Sequence, residues 1–292
     1  MLFKNKNTVE RQVMIVKADG TTEPFDIEKL RRSLHRAGAK ENVTEVVLEE
    51  VSRKVKDGMT TNDIYRFAFN IFHREQKHKA FRYSLRRAVY ELGPTGFGFE
   101  KFVAEIFKAQ GYQVKTDQIV QGYCVEHEVD VIAWDEKELL MCEAKFHNDI
   151  AMKSDLKVAL YVKARMEDLG KMAYDDFGAP NRKMTEGWLI TNTKFSSAAI
   201  QYGMCQNLKM IGWNFPHVTN LHNMIEITKT IPLTVLTTLN GSEKRMLIER
   251  GVVLCRQLTD SYHLDSIGIN KSRHEKILVE AKSAIDLISE EN

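Results

Sequence analysis

Asp130, Glu143 and Lys145 are the residues of this chain whose types and spacing suit a reaction. Asp130 sits in Val129-Asp130-Val131-Ile132-Ala133, and Glu143 and Lys145 follow thirteen and fifteen residues later, at the end of Leu139-Leu140-Met141-Cys142-Glu143-Ala144-Lys145. Both runs read as short apolar strands, joined by a turn at Trp134-Asp135-Glu136-Lys137-Glu138. Phosphodiester hydrolysis needs an activated water, a positioned phosphate and a counter-charge, and a carboxylate-held divalent metal supplies much of all three. Hard oxygen ligands suit Mg²⁺ (or Mn²⁺), which keeps several waters and takes few protein ligands. Asp130 and Glu143 are the expected metal ligands, with the Ala144 carbonyl as a third. Lys145 shares a strand face with Glu143 and would orient the water or offset the developing charge. Glu100, on the preceding helix, is within reach of the same cluster; equally, it is an acid favoured at a helix start by the dipole. A salt-bridged hairpin is the alternative, but both acids lie within apolar strands, where an unpaired charge is costly.

The elements that must position these residues follow from periodicity. Phe99, Phe102, Val103, Ile106 and Phe107 mark an amphipathic helix ending at Gly111. Strands are expected near 112–115, 119–123, 126–134 and 138–146, then a helix at 154–170, a strand at 187–191, a helix at 196–206 and a strand at 210–213. That order is an α/β unit with a mixed sheet. Leu92–Gly98, with three glycines and a proline, reads as a linker. Ahead of it lie a polar leader (1–12), strands at 13–17 and 22–25 around an Ala18–Thr21 turn, and a helix at 27–37 capped by Asp26 and ended by Gly38. Helices follow at 43–57, 61–75 and 78–92, with Thr60 or Thr61 capping the second of these. Beyond Pro232 two segments share an apolar pair, a glycine-bearing turn (Gly241 and Gly268) and a helix (243–250 and 271–287).

The 292 residues suffice for two or three domains, and 43% hydrophobic with 28% charged residues fits a globular protein. No run approaches the roughly 18 apolar residues of a membrane span, and Met-Leu-Phe-Lys-Asn-Lys-Asn lacks a signal-peptide core, so the expected location is cytoplasmic. Cys124, Cys142, Cys205 and Cys255 show no C-x-x-C spacing and read as core thiols. The net charge of +2 is uneven. Residues 1–92 carry 19 Lys and Arg against 13 Asp and Glu, residues 93–230 carry 15 against 18, and residues 231–292 carry 8 against 9. The basic first part suits an anion such as a nucleotide, and the acidic middle suits a metal.

Two family resemblances bear on these readings. Phe99-Glu100-Lys101-Phe102-Val103, Glu128-Val129-Asp130-Val131-Ile132-Ala133, Cys142-Glu143-Ala144-Lys145-Phe146 and Trp188–Ser196 with Ala198-Ala199-Ile200 resemble the restriction-endonuclease-like superfamily, pattern PD-(D/E)XK, in its Mrr-type branch. The resemblance implies Asp130 and Glu143 as metal ligands, Lys145 as catalytic and Glu100 as accessory; Val129 replaces the nominal proline, and His147 follows the lysine. Upstream, Lys17, Asp19-Gly20, Glu23, Phe25-Asp26 and Lys29-Leu30 put two lysines around a turn and a helix start, where phosphates can be held, and Thr61–Tyr65 could add a base contact. With Arg82–Tyr90, these residues resemble the ATP-cone of ribonucleotide reductases and their transcriptional repressor. That similarity implies ATP or dATP at Lys17, Glu23, Phe25, Lys29, Leu30, Thr61 and Ile64, as sensing rather than hydrolysis, and a change of oligomeric state. The C-terminal repeats resemble tandem helix-hairpin-helix motifs, with Gly241 and Gly268 against DNA phosphates, or serve packing or dimerisation. The expectation is a multidomain α+β chain: an ATP-cone (13–92), an α/β nuclease domain (99–230) and a helical hairpin domain (231–292). Its expected activity is Mg²⁺-dependent DNA cleavage under adenine-nucleotide control, in a homo-oligomer away from membranes. The alternative is a nucleotide-responsive DNA-binding regulator whose nuclease fold is silent.

Overall fold

The structure is a computed structural model that describes residues 13–17, 20–36, 39–75 and 77–289. The expected leader (1–12), the Ala18-Asp19 turn and the Gly38 helix stop lie outside the described residues. Contacts divide the chain into two compact units, Met1–Ser84 and Leu85–Asn292.

The first unit opens with an antiparallel hairpin, β1 (Met14–Val16) and β2 (Thr22–Pro24), in which Ile15 faces Glu23. Helices α1 (Ile27–Arg36), α2 (Glu41–Lys54) and α3 (Thr61–Glu75) follow, and α4 (Lys77–Tyr90) continues into the second unit. Apolar positions at helical spacing, Val43, Val47, Leu48 and Val51, meet Ile64, Ala68, Ile71 and Phe72 in one core. Thr60, rather than Thr61, caps α3: its hydroxyl accepts from the Asp63 amide at 3.1 Å and donates to the Asp63 carboxylate at 2.7 Å.

In the second unit α5 (Phe97–Ala109) leads to β3 (Gln113–Gln121), β4 (Glu126–Trp134) and β5 (Leu139–Lys145). The two strands expected near 112–115 and 119–123 are one strand. Asp117, at φ 56°, drops out of the ladder between the pairs Thr116–Val131 and Gln118–Val129 without shifting the register. Then come β6 (Lys153–Ser154), α6 (Leu156–Gly170), β7 (Ala173–Tyr174), β8 (Arg182–Lys183), β9 (Glu186–Thr191), β10 (Lys194–Phe195), α7 (Ser197–Cys205), β11 (Lys209–Ile211) and α8 (Leu221–Thr228). The main sheet has the order β11-β9-β5-β4-β3. Its β3-β4-β5 side is antiparallel and its β5-β9-β11 side parallel, the expected mixed sheet. Parallel neighbours need a crossover, and α6 makes the one from β5 to β9. Leu139 and Met141 pack with Ala159, Val162, Met166 and Leu169 of α6. By strand alternation Glu143 and Lys145 lie on that same face.

Leu92–Gly98, read as a linker, joins the end of α4 to the start of α5. Leu92 is buried, and Gly98 lies inside α5, where an added Cβ would stand 2.4 Å from the Leu92 carbonyl oxygen and 2.8 Å from Ile248. Of the four cysteines, Cys142 and Cys255 are core thiols, whereas Cys124 and Cys205 are exposed.

The chain ends with α9 (Gly241–Glu249), α10 (Tyr262–Ser266) and α11 (His274–Ser289). The two glycine turns of the sequence are not equivalent. Gly241 is the first residue of α9, whereas Gly268 has φ 77° and closes α10; its counterpart is Gly251, φ 78°, closing α9. The matched bonds are Val252 N to Leu247 O and Ile269 N to Leu264 O.

Candidate active site

The ladder between β4 and β5 stops at the pair Val131–Cys142. Beyond it β5 stays paired with β9, as Glu143–Leu189, Ala144–Ile190 and Lys145–Thr191, while β4 turns away. The Asp130 side chain bridges the gap: its Oδ2 accepts the Ala144 amide at 2.7 Å. A strand residue points its N–H and C=O to the same edge, so the Ala144 carbonyl faces that gap too. Glu143 is partly buried beside it and gives Oε2 to the Arg165 guanidinium of α6. Lys145 is exposed and, among the described residues, makes no ion pair. The structure therefore brings Asp130, Glu143, Ala144 and Lys145 to one splayed strand end.

Burial, and then the neighbouring Glu143 charge, push the Asp130 carboxyl up to about 7; the Ala144 amide and Arg165 act in the opposite sense without offsetting them. Glu100, in the first turn of α5, is also pushed up to about 7, first by burial and then by the charges of Asp130 and Asp117. Its carboxyl folds back over Gly96, where a Cβ would stand 2.5 Å from Glu100 Oε1. Two like charges around one gap favour protons or a cation there. Among the described residues no three His, Cys, Asp or Glu side chains form a metal cage; the arrangement suits a hard cation that keeps its waters, not zinc.

Asp117 was missed by sequence reasoning. Its carboxylate takes Lys101 Nζ at 2.6 Å, and bonds from Lys101 and Thr116 outweigh burial, which pushes it up, and hold it below the usual range. The signal was the polar run Thr116-Asp117-Gln118 between the two expected strands. Arg165 was missed as well. His147, left unassigned by the sequence, is held in place: its amide donates to Asn192 Oδ1 at 2.8 Å, Asn192 Nδ2 returns to its carbonyl at 2.9 Å, and its ring meets Ser154 Oγ at 2.8 Å. Burial, then the Lys145 charge, lower the His147 pKa.

In the first unit, Lys17 and Lys29 bracket Glu23 at 3.7 and 3.4 Å. Asp26 Oδ1 accepts from the amides of Glu28 at 2.9 Å and Lys29 at 3.2 Å, starting α1. Val16 bridges to Thr60, which brings the start of α3, with Thr61, beside the end of β1. Ile64 is buried in the core, with Phe25 and Leu30 packed against it.

At the C-terminal candidates, backbone donors are largely taken. Asn240 accepts from the amides of Ser242 and Glu243 in a capping box, and the Gly268 amide donates to the Asp265 carbonyl.

A two-sided acid pair and lysine on a mixed sheet define a restriction-endonuclease-like unit. Residues 93–221 match the restriction endonuclease family of Mrr type, residues 13–91 the ATP cone domain, and residues 232–285 the family described as AF1548-like, C-terminal. An uncharacterized protein of Archaeoglobus fulgidus is 34% identical over 185 residues, 63% of this chain and 99% of that protein. The crystal structure titled protein of unknown function AF1548 aligns with TM-score 0.54 and 32% identity, covering 66% of this chain and 99% of that one. The MspJI restriction endonuclease, solved in complex with a 27-mer oligonucleotide, aligns with TM-score 0.27 and 11% identity over 78% of this chain and 44% of that one, a likeness that supports no inference. The chain belongs to the AF1548-like family, as an ATP-cone domain joined to an Mrr-type restriction-endonuclease-like domain.

Proposed function

We propose that the chain is a metal-dependent endodeoxyribonuclease whose activity responds to ATP or dATP. One observation carries the reading. Asp130 and Glu143 meet where β4 and β5 part, each giving one oxygen to the protein, and among the described residues Asp130 Oδ1 and Glu143 Oε1 have no hydrogen-bond partner.

Asp130, Glu143 and the Ala144 carbonyl would hold Mg²⁺ or Mn²⁺, which when bound supplies Lewis acidity and a water of lowered pKa. Lys145, exposed on the Glu143 face, contacts the scissile phosphate and offsets its growing charge. Glu100, poised near neutrality, takes or returns a proton at its carboxyl. Lys17, Glu23, Lys29 and Thr61 hold the nucleotide, with Phe25, Leu30 and Ile64 shaping the pocket floor. The C-terminal helices serve assembly of a homo-oligomer better than phosphate contact by Gly241 or Gly268, since the amides around both are mostly taken. Among the described residues no helix is long and apolar enough to cross a membrane; the expected setting is cytoplasmic. A role against foreign DNA follows by analogy with restriction enzymes.

The second reading, a DNA-binding regulator with a silent site, is favoured by the Glu143–Arg165 ion pair, which satisfies one acid without a metal. Nicking of supercoiled plasmid with Mg²⁺, with and without ATP or dATP, separates the two. Asp130→Asn, Glu143→Gln and Lys145→Ala should each abolish nicking while melting within a few degrees of wild type. Variants that nick like wild type would overturn the catalytic reading.

A further inference from the structure

We propose that Arg165 is a positioning residue that turns the Glu143 carboxylate toward the metal, an inference that rests on the nuclease reading. Arg165 lies in α6 and is 9% exposed. An arginine is rarely buried unless paired, and this one is held at three points. Nη1 donates to Glu143 Oε2, and Nη2 donates to the Glu128 main-chain oxygen. The Tyr161 ring, one helical turn earlier, lies 5.4 Å from the guanidinium carbon. The side chain therefore ties α6 to β4 and β5 at the point where those strands separate.

A guanidinium fork is planar and rigid, so two bonds in different directions fix both its plane and the carboxylate it meets. With Oε2 taken by Arg165, Glu143 presents Oε1. With Oδ2 taken by the Ala144 amide, Asp130 presents Oδ1. Each acid thus spends one oxygen on the protein and keeps one for a ligand, the arrangement by which outer contacts orient metal-binding groups. The guanidinium also lowers the repulsion between the acids without using Lys145. Arg165 is too buried to reach a DNA backbone. Its bonds to Glu128 and its contact with Tyr161 involve no metal ligand, so a cation need not expel it.

Manganese binding to the full chain, read by electron paramagnetic resonance and calorimetry, tests this without relying on cleavage. Arg165→Ala should weaken Mn²⁺ binding by about 10- to 100-fold, the usual cost of losing an outer-sphere partner. Guanidinium at tens of millimolar should restore part of the loss in Arg165→Ala and none in Glu143→Gln. Arg165→Lys, which keeps the charge and loses the fork, should bind between wild type and Arg165→Ala, and it carries the test if the alanine variant does not fold. Wild-type or tighter Mn²⁺ binding in either arginine variant overturns the proposal, because Arg165 would then be inert or a counter-ion the metal must displace. If wild type and Glu143→Gln bind Mn²⁺ alike, the nuclease reading itself fails, a result distinct from failure of the arginine variants alone.

Discussion

At the scale of single residues, the protonation of Asp130 and Glu100 governs how the site meets a cation. Both carboxyls are pushed up to about 7, above the values near 4 of an unfolded chain. A raised folded-state pKa means that the fold holds the proton more tightly than the unfolded chain does. The resulting stabilisation is complete below about pH 4 and is lost as pH rises through about 7. The metal-free protein should therefore lose stability relative to Asp130→Asn between pH 5 and pH 8. Thermal melts of both proteins across that range check it, and parallel curves would refute it. Cation binding needs the charged form. Mn²⁺ affinity should climb with pH up to about 7 and then level, and calorimetry at pH 5.5, 6.5 and 7.5 measures that slope.

At the scale of elements, the site depends on two strands parting and on a helix seated tightly behind them. Gly98 is what allows α5 to seat. In Gly98→Ala the new Cβ would press within 2.4 Å of a backbone carbonyl, which cannot yield as a side-chain tip would, so a loss of about 1–3 kcal/mol is expected in urea unfolding. Gly241→Ala is the contrast. Among the described residues nothing lies within 4 Å of the added methyl, the position is helical, and stability should hold or rise by up to about 1 kcal/mol. Sequence periodicity made the helix behind the site legible, because Phe99, Phe102, Val103, Ile106 and Phe107 repeat at helical spacing. It also placed Asp130 and Glu143 on adjacent strands. It could not show that Gly98 is helical, since glycine disfavours a helix interior and the Leu92 carbonyl and Ile248 side chain that crowd the position come from outside α5. Nor could it find Arg165, which lies on the crossover helix 22 residues after its partner Glu143. Asp117 was hidden because the polar run Thr116-Asp117-Gln118 makes one strand read as two.

At the scale of the whole molecule, α4 belongs to both units, with residues to Ser84 counted in the first and residues from Leu85 in the second. Its last turns are bonded to the chain beyond β5: Tyr90 donates its hydroxyl to the Asn148 carbonyl, and Arg86 donates to the Ile150 carbonyl at 3.4 Å. That segment follows Lys145 directly, past the His147–Asn192 pair. On the proposed function, a nucleotide that biased α4 would act through these two bonds on the segment that follows Lys145. Coupling between two sites is reciprocal: if nucleotide changes DNA affinity by some factor, DNA changes nucleotide affinity by the same factor. Calorimetry of ATP and dATP on the non-cutting Glu143→Gln protein, with and without a DNA duplex, should show equal factors in the two directions. Lys17→Ala and Lys29→Ala should lose the nucleotide outright, with DNA affinity in nucleotide-free buffer unchanged. Tyr90→Phe should keep nucleotide affinity in the absence of DNA, because Tyr90 is counted in the second compact unit and Lys17 and Lys29 in the first, and should shrink the coupling factor. Unchanged coupling in Tyr90→Phe would remove α4 as the route, while unchanged nucleotide affinity in both lysine variants would remove the cone site itself.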